Sequence, residues 1–483
     1  MQRQVIQRVL GILLAWFSVT MLPPVLVDYL YAEGAYIPFV MAFIITLITG
    51  LLLWYPVRTQ RDDLRLRDGF LIVVLFWTVL GVFGALPLLL SNSLSISFTD
   101  SIFESISGLT TTGATVITNL DQLPKSILFY RQALQWLGGM GIIVLAVAIL
   151  PMLGVGGMQL YRAETPGPVK DAKLTPRIKE TAKALWYIYL SLTIACALGY
   201  WLAGMSVFDA IGHSFSTIAI GGFSTHDESI GYFRSVPIET VAIIFMLLSG
   251  LNFGLHFVTW KSQSLRHYFQ DAEFKTYFFV IISITAITAI FLRLGEVYLS
   301  WGDSFSKAVF HTVSIATTTG FTTSQYHFWP SFLPLLLILA SFIGGCTGST
   351  GGGMKVIRVL LLVKQGMREM MRLIHPSAKI AVKIGSKAVD GRVIEAVWGF
   401  FSAYIAVFVL MLLLLMASGL DQVTAFSAVA ATLNNLGPGL GEVGANYTSI
   451  NDFSKWVLCL GMLLGRLEIF TLLVILTPAF WRR

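Results

Sequence analysis

Four glycines occupy corresponding places in four stretches that otherwise share little. They are Gly113 after Thr110-Thr111-Thr112, Gly222 after Ala219-Ile220-Gly221, Gly320 after Thr317-Thr318-Thr319, and Gly437 after Asn434-Asn435-Leu436. Each follows a short apolar stretch and precedes a long one. A bare cation inside a membrane must exchange its water shell for other oxygens. Rings of backbone carbonyls supply them without net charge, so the ion binds and can still leave. Aiming successive carbonyls at one axis needs dihedrals that glycine tolerates because it has no Cβ. Four such loops in one chain would complete a pore, with the hydroxyls of Thr110 to Thr112 and Thr317 to Thr319 bracing them or offering further oxygens.

The segments that deliver these loops, 99–111, 209–220, 304–318 and 421–434, are too short to cross. A dozen helical residues reach about 18 Å, against a hydrocarbon core of roughly 30 Å. They must descend, turn and return, and irregular backbone survives at that depth only beside a wet cavity or inside protein. Their C-terminal ends carry partial negative charge and would point at the ion. Asp100, Asp209, Asp303 and Asp421 open them, 13, 13, 17 and 16 residues before the glycines, and are expected to cap the N-termini. Gly138, Gly250, Gly345 and Gly461 follow the loop glycines by 25, 28, 25 and 24 residues, where small residues let packed helices approach. His213 and His311 lie nine residues before their glycines, a place held by Glu104 and Ala428 in the other two units. Two isolated histidines fit satisfied structural roles better than a metal site.

A second constellation is Gly344-Gly345-Cys346-Thr347-Gly348-Ser349-Thr350-Gly351-Gly352-Gly353. Six glycines in ten residues cannot hold a regular helix. No Gly-Lys-Ser/Thr follows and apolar spans flank it, so it is not a phosphate-cradling loop. It is either a helix kink or a flexible loop inserted beneath the four glycine loops as a gate, and Arg466 decides for the second. Arg466 lies inside the last apolar segment, where a charge is expensive and faces a cavity or partner. It is 29 residues past Gly437, as Ser349 is past Gly320, so it should reach that loop's carbonyls and repel cations. Glu468, two residues on, does not face Arg466 on a helix.

Hydrophobic residues make up 55% of the 483 and charged ones only 12%, and the mean hydropathy is +0.75. That defines an all-α polytopic membrane protein. Ten spans are expected: two extra helices (about 5–30 and 36–56), then outer helices at 69–90 and 127–150, 183–203 and 237–260, 275–296 and 331–373, and 393–417 and 455–480. The units would be 1–68 (extra helices), 69–158, 159–262, 263–375 and 376–483, the last four being pseudo-symmetric helix–pore-loop–helix repeats. The apolar start lacks a small-residue cleavage site and reads as a retained helix.

The net charge of +7 would suit nucleic acid, but 26 of the 33 Lys and Arg fall in alternate polar segments, which marks one face as cytoplasmic. Both termini would then be cytoplasmic, and the basic face would meet anionic lipid. Cys196, Cys346 and Cys459 lie in or beside apolar stretches and form no disulfide framework.

The strings TTTGA, AIGGFS, TTTGFTT, NNLGPG, GGCTGSTGGGMK and GRLE together resemble the Trk/Ktr/HKT superfamily of potassium transporters, and the two leading helices resemble its TrkH-type branch. The resemblance spans essentially the whole chain. It implies a bacterial inner-membrane potassium uptake protein, a homodimer whose protomers each have a pore, with a cytoplasmic nucleotide-binding regulatory subunit of TrkA type. It places the filter at Gly113, Gly222, Gly320 and Gly437, the gate at residues 344–353 and the pore arginine at Arg466. It implies K+ as the bound and transported ion and no covalent cofactor. The alternative is a symporter coupling potassium to protons or sodium, though such proteins usually use inverted repeats, whereas these units share one orientation. No nucleophile arrangement or His/Cys/Asp cluster suggests an enzyme.

Overall fold

The computed structural model describes residues 2–59, 66–144, 178–330, 332–385 and 387–482. The expected boundary at 158/159, the end of the 127–150 helix and several of the basic residues lie outside them. Apolar runs become helices because every backbone group must be paired internally in lipid. Among the described residues, six helices are long and apolar enough to cross a membrane, or up to eight if each of two bent pairs is one span. Lys125–Val144 ends where the described residues end.

The first two spans, Arg3–Tyr31 and Ile37–Val57, cross at small residues. A Cβ on Gly11 would lie 2.7 Å from the Gly50 carbonyl oxygen, so the two backbones touch. Pro23 and Pro24 sit in the first turn of Leu22–Tyr31, where no donor is lost.

The four short helices are Phe98–Leu109, Val207–Ala219, Trp301–Ala316 and Gln422–Leu433. Only Asp421 caps its helix, accepting from the Val423 and Thr424 amides. In the other three the caps are Ser97, Ser206 and Ser300, and the aspartate sits in the first turn. Ser97 and Asp100 form a reciprocal capping box, so the carboxylate serves the helix from the third position, not the cap.

Two expected straight helices are sharply bent. Residues 237–260 divide into Val236–Ser249 and Phe253–Ser262 at 93°, where the Asn252 side chain caps the second piece and the Phe253 amide donates to Gly348. Residues 455–480 divide into Asp452–Arg466 and Phe470–Leu476 at 115°. The Phe470 amide turns back to the Glu468 carbonyl across Ile469, whose φ of 53° and ψ of −58° make a positive-φ γ-turn. Hydropathy carries no signal for either bend. The third break falls as expected, with Leu333–Ile343 and Val356–Ile374 separated by the glycine segment. The described part departs from all-α only in a two-residue antiparallel pair, Lys383–Ile384 with Lys387–Ala388.

Candidate functional site: four buried loops and the segment beneath them

Each short helix ends in the same way. The amide two residues before the glycine donates three residues back, and the next amide donates five back. The pairs are Thr111 to Gly108 with Thr112 to Ser107, Ile220 to Thr217 with Gly221 to Ser216, Thr318 to Ile315 with Thr319 to Ser314, and Asn435 to Thr432 with Leu436 to Ala431. This is a Schellman closure, and it requires a left-handed residue. Thr111, Ile220, Thr318 and Asn435 supply it, with φ of 52°, 54°, 70° and 52°. Two residues on, the glycines have φ of 79°, 78°, 86° and 95°. The sequence pointed only to the glycines. The second left-handed position was not legible, because three of its four occupants are β-branched residues that disfavour it.

The loops touch in cyclic order. A Cβ on Gly113 would strike the Gly221 carbonyl, one on Gly222 that of Thr319, and one on Gly320 that of Leu436. One on Gly437 would lie 2.7 Å from the Thr112 carbonyl oxygen, which closes the ring. The loops are buried apart from Gly113 and Gly222, which are half-buried. Among the described residues, no donor reaches the carbonyl oxygens of Thr110 to Gly113 or of Thr317 to Gly320. Buried carbonyls without donors are rare, and they are the oxygens a dehydrated cation needs.

Behind the loops, in the first three units the place nine residues before the glycine pins the chain that follows it. Glu104 accepts from the Val116 amide at 2.9 Å and from Thr115 Oγ1 at 3.0 Å. His213 Nε2 lies 2.8 Å from Ser224 Oγ, and His311 Nε2 3.2 Å from the Ser324 carbonyl. In the fourth unit Ser427, one residue earlier, accepts from the Leu440 amide at 2.8 Å. Both histidines therefore have structural partners, as the sequence suggested.

Arg131 completes the first brace. Its Nε meets Glu104 Oε1 at 2.7 Å, its other nitrogens reach Thr115 Oγ1 and the Ser224 carbonyl, and the guanidinium lies over Phe223. Removing one partner of such a fully buried pair costs about 3–5 kcal/mol. Sequence reading missed this role, although a charge in an apolar helix was the available signal.

Residues 344–353 lie against three of the loops and their helices. The Gly352 amide donates to Thr318 Oγ1 at 2.7 Å, the Gly353 amide to the Asn434 carbonyl at 3.1 Å, and Thr350 Oγ1 to the Ile218 carbonyl at 2.8 Å. Arg466 closes the fourth side, with Nη2 donating to Thr111 Oγ1 at 2.6 Å and Nη1 to the Thr350 carbonyl at 3.4 Å. Its backbone acceptor, the Thr350 carbonyl, belongs to that segment, as expected. Cys346 and Thr347 are buried too, their amides donating to the Gly250 carbonyl and to Glu273 Oε1. Glu468 pairs with Arg358 at 2.7 Å, not with Arg466. A cavity beside the segment is lined by Gly352, Lys355, Arg358, Arg466 and Glu468. Three cations there meet one carboxylate. Neither Lys355 nor the Arg358–Glu468 pair was anticipated, since they meet only through the fold.

On the outer flank, His226 sits between loops one and two. Its Nδ1 contacts Asp121, its Nε2 lies 3.5 Å from Asp209 Oδ1, and Tyr232 stacks on the ring 3.5 Å away. Burial alone would lower its pKa, but the two carboxylates outweigh burial and raise it. The folded form therefore holds this proton more tightly than the unfolded chain, whose histidine titrates near about 6.5. The staple is fully present below that value and is lost as pH rises through the raised one. We expect thermal stability in detergent to fall as pH rises above about 6.5, with a smaller fall for His226→Gln. Parallel melting curves for the two proteins across that range would refute the staple.

Apolar helices packed around a buried ring of loops define a multi-pass membrane protein of transporter architecture. The chain matches the TrkH family model, described as a cation transport protein, over residues 37–482. It is 61% identical to the Trk system potassium uptake protein TrkH of Vibrio parahaemolyticus and 58% identical to that of Escherichia coli strain K12, covering 100% of both chains in each case. The crystal structure of the potassium transporter TrkH from Vibrio parahaemolyticus is similar with a TM-score of 0.93 and 58% identity, again over 100% of both chains. The chain belongs to the TrkH family of cation transport proteins.

Proposed function

We propose that this protein takes up potassium through a gated, cation-selective pore. Four pseudo-symmetric repeats surround that pore, and two extra N-terminal helices bring the spans to ten. The filter is formed by Thr110 to Gly113, Ala219 to Gly222, Thr317 to Gly320 and Asn434 to Gly437. The observation that carries this reading is the cyclic contact of the four loops, each glycine abutting the carbonyl of the next unit. Buried carbonyls without protein donors suit a dehydrated monovalent cation, whose binding must be weak enough to allow release.

The segment 344–353 is the gate, held against the filter by Arg466. In the arrangement described, a cation leaving the filter would meet the guanidinium and a cavity lining of net positive charge. The relatives' names, Trk system potassium uptake protein, support potassium as the cargo. A homodimer in the bacterial inner membrane, with cytoplasmic termini and a TrkA-type nucleotide-binding subunit on its basic face, completes the proposal.

The test is current across bilayers holding the purified protein in opposed potassium and sodium gradients. A reversal potential at the potassium value is expected. A reversal potential that moves with the proton or sodium gradient would replace the pore with a coupled symporter.

A further inference from the structure

Loops one and three each carry a threonine pair that closes on itself. Thr110 and Thr112 Oγ1 are 2.8 Å apart, as are Thr317 and Thr319 Oγ1. Loop two has Ala219 and Gly221 at those places and so has no hydroxyl. The space is filled from another helix. Gln135, fully buried on Lys125–Val144, donates from Nε2 to the Gly221 carbonyl at 2.6 Å and accepts from the Phe223 amide at 3.1 Å. A Cβ on Gly221 would run into this carboxamide. Gly221 is not among the positive-φ residues, so its backbone does not demand glycine. What excludes a side chain there is Gln135. Gly212 makes room in the same way for Gln132, which donates to the Phe223 carbonyl at 3.4 Å.

We propose that Gln135 is a specificity-determining positioning residue. Its carboxamide does for loop two what the threonine pairs do for loops one and three, holding Gly221 and Gly222 in register with the other walls of the ring. A carbonyl oxygen has two acceptor positions, so Gly221 can take the Gln135 bond and keep one lone pair free. This inference rests on the reading of the four loops as a potassium filter. The role is one of position, because Gln135 contacts the loop backbone and not the ion's path.

The test compares sodium-to-potassium permeability ratios of the purified protein in liposomes. Gln135→Ala should raise the ratio roughly five- to tenfold, the scale of one or two lost hydrogen bonds. Gln135→Met, which keeps the bulk without the bonds, should do the same and covers the case in which the smaller variant folds poorly. Gly221→Thr alone should fold poorly, because it collides with Gln135. The triple variant Gln135→Ala/Ala219→Thr/Gly221→Thr should return the ratio to within about twofold of the parent, since a threonine pair then occupies the same space. A residue that merely filled space would change yield and total flux but leave the ratio alone.

An unchanged ratio in both Gln135 variants overturns the inference, and so does a triple variant no better than Gln135→Ala. A parent protein without potassium preference would instead overturn the filter reading.

Discussion

Replacing Arg466 by alanine is expected to leave the closed protein leaking potassium, with flux roughly ten- to a thousandfold above the parent. Arg466 is 5% exposed, and its guanidinium ties loop one to the gate segment through Thr111 and Thr350. Two like charges about 4 Å apart repel by about 4 kcal/mol at an effective dielectric near 20, and about 1.4 kcal/mol is tenfold in rate. Water entering the cavity lowers the repulsion, which sets the lower end of the range. Loss of the two hydrogen bonds also frees the segment to move. Arg466→Lys separates these effects: it keeps the charge and gives up the forked contact, so its leak should fall between those of the parent and the alanine variant. Flux measured in liposomes without any activating partner decides the matter. Equal leak in parent and alanine variant would remove Arg466 from the gate.

The second large effect is expected at Gly113. Serine there should cost the pore roughly tenfold or more of its preference for potassium over sodium. The residue has φ of 79°, a conformation that costs an ordinary L-residue about 1–2 kcal/mol. The new Cβ would also strike the Gly221 carbonyl, an oxygen of the neighbouring wall. Both wall one and wall two must then shift, so the change reaches the ion site and not only the fold. Gly366→Ser is the matched control, since a Cβ there meets nothing within 4 Å. Bi-ionic reversal potentials for the two variants give the answer. If Gly113→Ser keeps the parent's permeability ratio, the glycine does not form part of the ion path.

The contrast between Gly113 and Gly221 shows what a sequence reading can carry. Gly113 belongs to a pattern repeated four times at similar distances behind a short helix, and repetition is visible along the chain. Gly221 is glycine because of a side chain 86 residues away, and no local pattern encodes that. The same division explains the helix caps. The four aspartates were legible as N-terminal signals, yet Ser97, Ser206 and Ser300 hold three of the cap positions. Either residue type fits the cap chemically, and only backbone geometry chooses between them. Arg466 was legible because a charge in an apolar segment is costly wherever the segment goes. Arg131 had the same signal, and its partner Glu104 stood at a position already marked by the repeat.

By itself the sequence determined the helical membrane class, the four half-length helices, the loop glycines and the break before Val356. These follow from run length, hydropathy and residues with special backbone freedom, all of which act over a few turns. Only the tertiary structure decided the cyclic order of the loops, the left-handed Thr111, Ile220, Thr318 and Asn435, the bends after Ser249 and Arg466, and the Gln135 clamp. Those depend on which distant backbone a side chain meets once the helices pack. Close packing settles such choices through contacts that no short stretch of chain contains.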